Sequence, residues 1–295
     1  MMCIQQSPIT RERILQMEDL KPRRCKLDVE SRKLLHEPAY EGKDWSLRLP
    51  FCETFSTSFE SMCNVSSTGF REGNGNFYTY LKDVDQSDID DVENWISTVG
   101  SYVAIRDCLY LSFAIDYSLE AGNPKNQRTR IGTLRRDAKL YDDSIPVTQR
   151  LYAAADELFQ YCMQFLSEVH CYDSADVIVA MPPSRPDKQF DLPLYLAGKI
   201  SKEWGKADLS DSVRTTKKRP SVKDQETVTG KLEVLEQSIE IDRNVFQRKN
   251  VLILDDLYQS GVSMNYVAML LQEAGARNVL GLACEKTCRN DVNRR

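Results

Sequence analysis

The segment Val251-Leu-Ile-Leu-Asp-Asp-Leu-Tyr-Gln-Ser-Gly-Val-Ser263 passes from an apolar block through an acid pair into a short polar loop. Four aliphatic residues in a row, Val251 to Leu254, fit a strand buried on both faces. Asp255 and Asp256 then fall at its C-terminal end, where open α/β sheets place their ligand sites. Beyond the loop, Val262, Tyr266, Val267, Leu270 and Leu271 share one face of a helix predicted over 262–274, and Gly275 is its natural stop. A returning strand follows at Val279–Cys284. Upstream, Asp176–Met181 reads as another buried strand, and Leu192–Trp204 as a helix with Pro193 in its first turn. Strands alternating with helices imply an α/β fold, a parallel sheet flanked by helices.

The loop Gln259–Ser263 precedes a helix N-terminus, where free amides and the helix dipole favour an anion. Gly261 permits close approach of the backbone, and Ser260 and Ser263 carry hydroxyl donors. Asp255 and Asp256 are acceptors suited to the vicinal diol of a ribose, and their charge favours an oxocarbenium-like centre. An acid pair that merely ends a strand and caps a helix is the alternative. Strand, acid pair, loop, amphipathic helix, glycine stop and returning strand in unbroken order favour a ribose-phosphate site over it.

Residues 251–263 resemble the phosphoribosyl pyrophosphate signature of type I phosphoribosyltransferases, and Asn265–Ala276 is similar to the helix that follows it there. Val177-Ile-Val-Ala-Met-Pro-Pro-Ser-Arg185 resembles the strand and pyrophosphate loop of the same Rossmann-like fold. Lys188-Gln-Phe-Asp-Leu-Pro193, and Arg128–Leu134 with Lys139, are similar to the ComF-type, competence-associated branch. The resemblance spans about residues 100–288. It implies a phosphoribosyltransferase-like domain over 99–295, behind an N-terminal extension or small accessory domain over 1–98. It further implies that Asp255 and Asp256, the catalytic pair, hold the ribose hydroxyls, and that Gln259, Ser260, Gly261, Val262 and Ser263 cradle the 5′-phosphate. Tyr258 would wall the site. Pro183, Ser184 and Arg185, with Lys188 beyond them, would meet a pyrophosphate bridged by Mg²⁺, to which Asp255 is the one candidate protein ligand. Gln259, Ser260 and Ser263 stand where the family usually has threonines; all three keep a donor.

Val213–Gln225 lies where the family has a mobile loop over its site. Arg214, Lys217, Lys218, Arg219 and Lys223 would neutralise pyrophosphate on closure; a solvated basic loop or a nucleic-acid contact remains the alternative. The implied activity is pentosyl transfer from phosphoribosyl pyrophosphate to a nitrogenous base, with release of pyrophosphate. Two rivals stand beside it. One is a non-catalytic sensor of that ligand; the other, suggested by the ComF-type likeness, is an accessory factor in DNA uptake or phage defence. A homodimer, and a protein or nucleic-acid partner engaged through 1–98 or 213–225, belong to the same set of expectations.

Outside these segments the chain is less explicit. Its 295 residues suffice for two modest domains, and 41% hydrophobic with 28% charged residues suits a soluble fold. A net charge of −5 supplies no global field toward nucleic acid or anionic membrane. No apolar run reaches membrane-spanning length and residues 1–20 lack a secretory block, so a cytoplasmic location is expected. Nine cysteines without a Cys-x-x-Cys pair read as reduced thiols, with Cys108, Cys162 and Cys284 in the core. The basic cluster Lys21, Arg23, Arg24 and Lys26 reads as a solvated face. Residues 46–80 read as turn-rich, 83–95 as a helix beginning near Ser87, and 101–117 as strand. Gly122–Pro124 reads as a turn, 128–139 as a basic segment and 146–170 as a helix. The stretch 206–232 reads as polar and without periodicity.

Overall fold

A computed structural model of the chain describes residues 6–27, 34–36, 45–73, 76–120, 127–140, 146–218, 220 and 222–288. The 122–124 turn and Arg219 lie outside them, and so does the side chain of Lys223. In chain order the N-terminal part forms α1 (Arg11–Gln16), β1 (Arg24–Cys25), β2 (Leu34–His36), β3 (Trp45–Leu49), α2 (Glu53–Met62), β4 (Arg71–Gly73), β5 (Asn76–Leu81) and α3 (Gln86–Gly100). Next come β6 (Val103–Ile105), β7 (Leu111–Tyr117), α4 (Arg130–Asp137), α5 (Gln149–Glu168), β8 (Val177–Ala180) and α6 (Leu192–Trp204). The chain continues through β9 (Ala207–Asp208), β10 (Val213–Thr215), α7 (Val228–Glu236), β11 (Ile239–Ile241), β12 (Asn250–Tyr258), α8 (Val262–Glu273) and β13 (Asn278–Lys286).

The main sheet has the order β1-β6-β7-β13-β12-β8-β9. Its strands from β7 to β9 are parallel, with Leu252 opposite Ile178 on one side and Leu280 on the other. β6 pairs antiparallel with both β7 and β1 at one edge. Alternate residues of β12 feed two separate cores. Leu252 and Leu254 join α5 and α6 on one face, and Val251 and Ile253 join α7 and α8 on the other. Such two-sided burial is why the strand reads as an unbroken aliphatic run.

The connections decide where a ligand fits. From β8 the chain passes through α6 to β9, away from β12. From β12 it passes through α8 to β13, away from β8. The loops after β8 and β12 therefore diverge, and a crevice opens between them at the C-terminal ends of the strands.

Several helix starts follow from short polar side chains. Thr148 accepts from the Leu151 amide and Asp191 from the Leu194 amide. Asp85 and Asp88 form a reciprocal capping box, so α3 begins just before Ser87. Two stretches depart from the sequence reading. Residues 46–80 contain α2 and most of a four-stranded antiparallel sheet of order β2-β3-β5-β4; Phe55 and Phe59, one turn apart, are both buried by α2. The supposedly aperiodic 206–232 ends inside α7, whose apolar residues Val228, Leu232 and Leu235 extend past that window. The strand at 101–117 is two strands, parted by a turn in which the Leu109 amide donates to Asp107 Oδ1 at 3.0 Å.

One face of the sheet is centred on Phe165, fully buried, with ring centroids 4.8, 5.7 and 4.9 Å from Tyr102, Phe113 and Tyr172. Truncating it removes both transfer energy and edge-to-face contacts. Phe165→Ala is expected to destabilise by about 3–5 kcal/mol, read as a lower urea midpoint with an unchanged slope.

Candidate active site

β12 runs on past its aliphatic residues, so Asp255 and Leu257 still pair with Ala283 and Glu285 of β13. That pairing fixes the acid pair on rigid backbone. The Asp256 amide donates to Asp255 Oδ1 at 2.8 Å. Asp256 Oδ2 in turn accepts from Arg135 Nε at 2.9 Å, and Arg135 Nη1 lies 3.4 Å from Glu285 Oε1. Arg135 comes from α4 and is buried.

These surroundings separate the two carboxyls. Burial, then the charge of Asp256, raises Asp255 well above the ordinary carboxylate range. Burial also acts to raise Asp256, but Arg135 and then Lys139 outweigh it, and its pKa is lowered. The pair is thus split, with protonation favoured at Asp255 and ionisation at Asp256.

The loop after β12 is held from beneath by a buried polar network. Tyr258 Oη donates to Asp107 Oδ2 at 2.7 Å. Asn265 Nδ2 donates to Tyr258 Oη at 3.2 Å and to the Gly261 carbonyl at 2.9 Å, while its Oδ1 accepts from the Cys108 amide at 2.9 Å. Tyr258, expected to wall the site, has a ring only 2% exposed and a hydroxyl turned to this network. Gly261 sits at φ +82 as the N-cap of α8, with no side-chain cap on the helix. A Cβ there would lie 2.1 Å from Tyr258 Oη. Glycine is therefore required twice over, by its backbone conformation and by the tyrosine against it. The first-turn amides of α8 have no acceptor within their own helix, which equips them for an anion.

Two clefts meet at Asp255. The smaller, about 110 Å³, is lined by Asp255, Tyr258, Gln259, Ser260, Gly261 and Ser263, with Val222 and Lys231 among the others. The larger, about 220 Å³, shares Asp255, Gln259, Ser263 and Val222 and extends to Asp256, Arg135, Lys139, Pro183, Ser184, Lys188 and Phe190. Thr215 Oγ1 donates to the Pro183 carbonyl, and Lys188 Nζ lies 2.6 Å from Asp191 Oδ2, tying the second loop to the start of α6.

Of the residues singled out from sequence, Arg185 and Val262 line neither cleft. Arg185 Nε lies 4.0 Å from Asp187 Oδ1, and the Val262 side chain is in the core. Arg214, Lys217 and Lys218 are exposed and also stand off the clefts. The reading of Lys21–Lys26 as a solvated face fails at Arg23. That residue is 7% exposed, and its Nη2 donates to the Ser260 carbonyl at 2.7 Å. Arg135, Lys231, Lys286, Asp107 and Asn265 escaped a role in the sequence reading. Only Lys286, a charge closing a buried strand, carried a local signal. Among the described residues no group of three or more His, Cys, Asp and Glu side chains is placed to hold a metal ion, and no helix is long and apolar enough to cross a membrane.

Because Asp255 is raised in the folded chain, the unfolded chain loses that proton first as pH climbs, so this group removes stability as pH rises through the interval. Asp255→Asn is expected to raise the melting temperature at pH 8 by roughly 2 °C. The gain should vanish near pH 3, where both states are protonated, as scanning calorimetry at the two pH values would register.

No family model matches the chain, and no curated protein matches it. Among solved structures it is similar to an adenine phosphoribosyltransferase at 18% identity and a TM-score of 0.36, over 55% of this chain and 92% of the other. It is also similar to the adenine phosphoribosyltransferase of Saccharomyces cerevisiae complexed with D-2,5-dideoxy-2,5-imino-altritol 1,6-bisphosphate and adenine. There the identity is 16% and the TM-score 0.33, over 54% of this chain and 88% of the other.

Proposed function

We propose that the chain binds 5-phosphoribosyl pyrophosphate across the two clefts and transfers its phosphoribosyl group to a nitrogenous acceptor, releasing pyrophosphate. The observation that carries this reading is the position of Asp255 in the lining of both clefts, between a helix N-terminus and the Pro183–Ser184 loop. A ligand reaching across them has a phosphate at one end, a sugar at the acid pair and a polyanion at the other end. In the transfer, the bond from C1 to pyrophosphate breaks and its electron pair leaves on oxygen, while the acceptor nitrogen bonds to C1. Positive charge developing at C1 faces Asp256, held ionised by Arg135, while Asp255 bonds a ribose hydroxyl.

The donor set suits a Mg²⁺ ion that arrives on the pyrophosphate. Of the two carboxyls at the cleft, Asp256 is engaged by Arg135, so Asp255, once the ion displaces its proton, would be the protein's contribution. Such an ion supplies charge neutralisation of the leaving group. Val222 lies at both clefts, which supports 213–225 as a cover whose exposed Arg214, Lys217 and Lys218 turn toward the bound polyanion.

Titration calorimetry with phosphoribosyl pyrophosphate and Mg²⁺ tests the proposal. Binding to the wild type is expected, with affinity lost in Asp255→Asn/Asp256→Asn while the circular dichroism spectrum is kept. Unchanged affinity in that double variant would sink the site. Tight binding with no pyrophosphate released across purine, pyrimidine and nicotinate-type acceptors would make the chain a sensor instead.

A further inference from the structure

A loop that offers its amides to an anion must also dispose of its carbonyls, whose negative ends would repel the same anion. Here three consecutive carbonyls are each taken by a buried donor. Lys286 Nζ donates to the Gln259 carbonyl at 3.0 Å, Arg23 Nη2 to the Ser260 carbonyl at 2.7 Å, and Asn265 Nδ2 to the Gly261 carbonyl at 2.9 Å. Two of the three donors are cations from distant parts of the chain, a segment leading into β1 and the end of β13. A third cation, Lys231 of α7, lines the smaller cleft with Ser260 and Gly261 and is 1% exposed.

We infer that Lys231, Arg23 and Lys286 form a cationic floor that makes the smaller cleft specific for a phosphate dianion. Lys231 pairs with the phosphate itself, and Arg23 and Lys286 are positioning residues that keep the loop carbonyls turned away from it. Lys286 and Arg23 are 1% and 7% exposed, and the Nε of Arg23 has no hydrogen-bond partner among the described residues. Burying so many positive groups at one loop is unfavourable in the empty protein. Burial first, then the neighbouring Arg24 and Arg23, lower the pKa of Lys286 to about 7. Burial and Arg23 likewise lower Lys231, against an opposing pull from Glu18. A dianion in the cleft adds a negative partner to this accumulation. The inference rests on the smaller cleft as the phosphate end of the proposed ligand, and assigns the residues that select it.

Ribose 5-phosphate and inorganic phosphate are the probes, titrated calorimetrically into the full chain. In Lys231→Met, affinity for both is expected to fall roughly tenfold to a hundredfold. The near-ultraviolet circular dichroism of its ligand-free form should match the wild type. Lys231→Arg should recover part of the affinity. Lys286→Met and Arg23→Gln should weaken ribose 5-phosphate binding in folded protein, judged by near-ultraviolet circular dichroism. Wild-type affinity in Lys231→Met overturns the inference, and so does a loss of affinity that merely tracks a fall in melting temperature. The transferase reading fails separately. Wild type that binds ribose 5-phosphate through Lys231 but ignores phosphoribosyl pyrophosphate with Mg²⁺ keeps the floor and loses the transferase. Wild type that binds the pyrophosphate with no dependence on Lys231 does the reverse.

Discussion

Everything at this site depends on how one turn of backbone divides its polar groups between two sides. Amide and carbonyl alternate along any chain, so a surface of amides exists only where the carbonyls find donors elsewhere. In most helix-initiating loops those donors are solvent or the helix itself. At residues 259–261 the helix supplies only the Asn265 backbone amide to Gly261, and two cationic side chains and one side-chain amide, all buried, supply the rest. The Tyr258 ring beneath Gly261 closes the remaining space, which ties the loop's shape to Asp107 and Asn265. The loop is thus rigid because its underside is completely specified.

The acid pair follows a related logic. Two neighbouring carboxylates at the end of a buried strand repel each other, and the protein resolves the conflict asymmetrically. Arg135 reaches Asp256 from α4 and leaves Asp255 to the effects of burial. The same guanidinium also approaches Glu285, so two carboxyls are organised around one cation. Such an arrangement holds charge in readiness at a cost in stability, as functional sites commonly do.

Much of the sheet could be read from residue order alone, because its strands are short aliphatic runs and its helices have regular apolar faces. The acid pair and the glycine loop were legible for the same reason: they are contiguous. What escaped was assembled from afar. Arg23 looked like one of four solvent-facing basic residues until β1 was placed on the sheet edge; no local pattern distinguishes a buried arginine from an exposed one. Lys231 and α7 were hidden because the helix starts at a threonine cap inside a polar stretch and its apolar residues come late. Asn265 is one amide in an ordinary helical face. The aromatic-rich segment 46–80 was misread because glycine and serine punctuate it as densely as they would a loop, while the helical spacing rests on a few residues, Phe51, Phe55, Phe59 and Met62.

The sheet edge has one more implication, for the order in which the molecule matures. The segment that supplies Arg23 precedes β13, which supplies Lys286, by some 260 positions. Gln6 spans a similar interval, its amide and side chain bonding Asn278 and Val279. Contacts of such long sequence separation form late and slowly. Until β13 takes its place between β7 and β12, the loop lacks Lys286 and its own strand lacks a neighbour. The loop's underside is complete only when residues this far apart in the sequence meet beneath it.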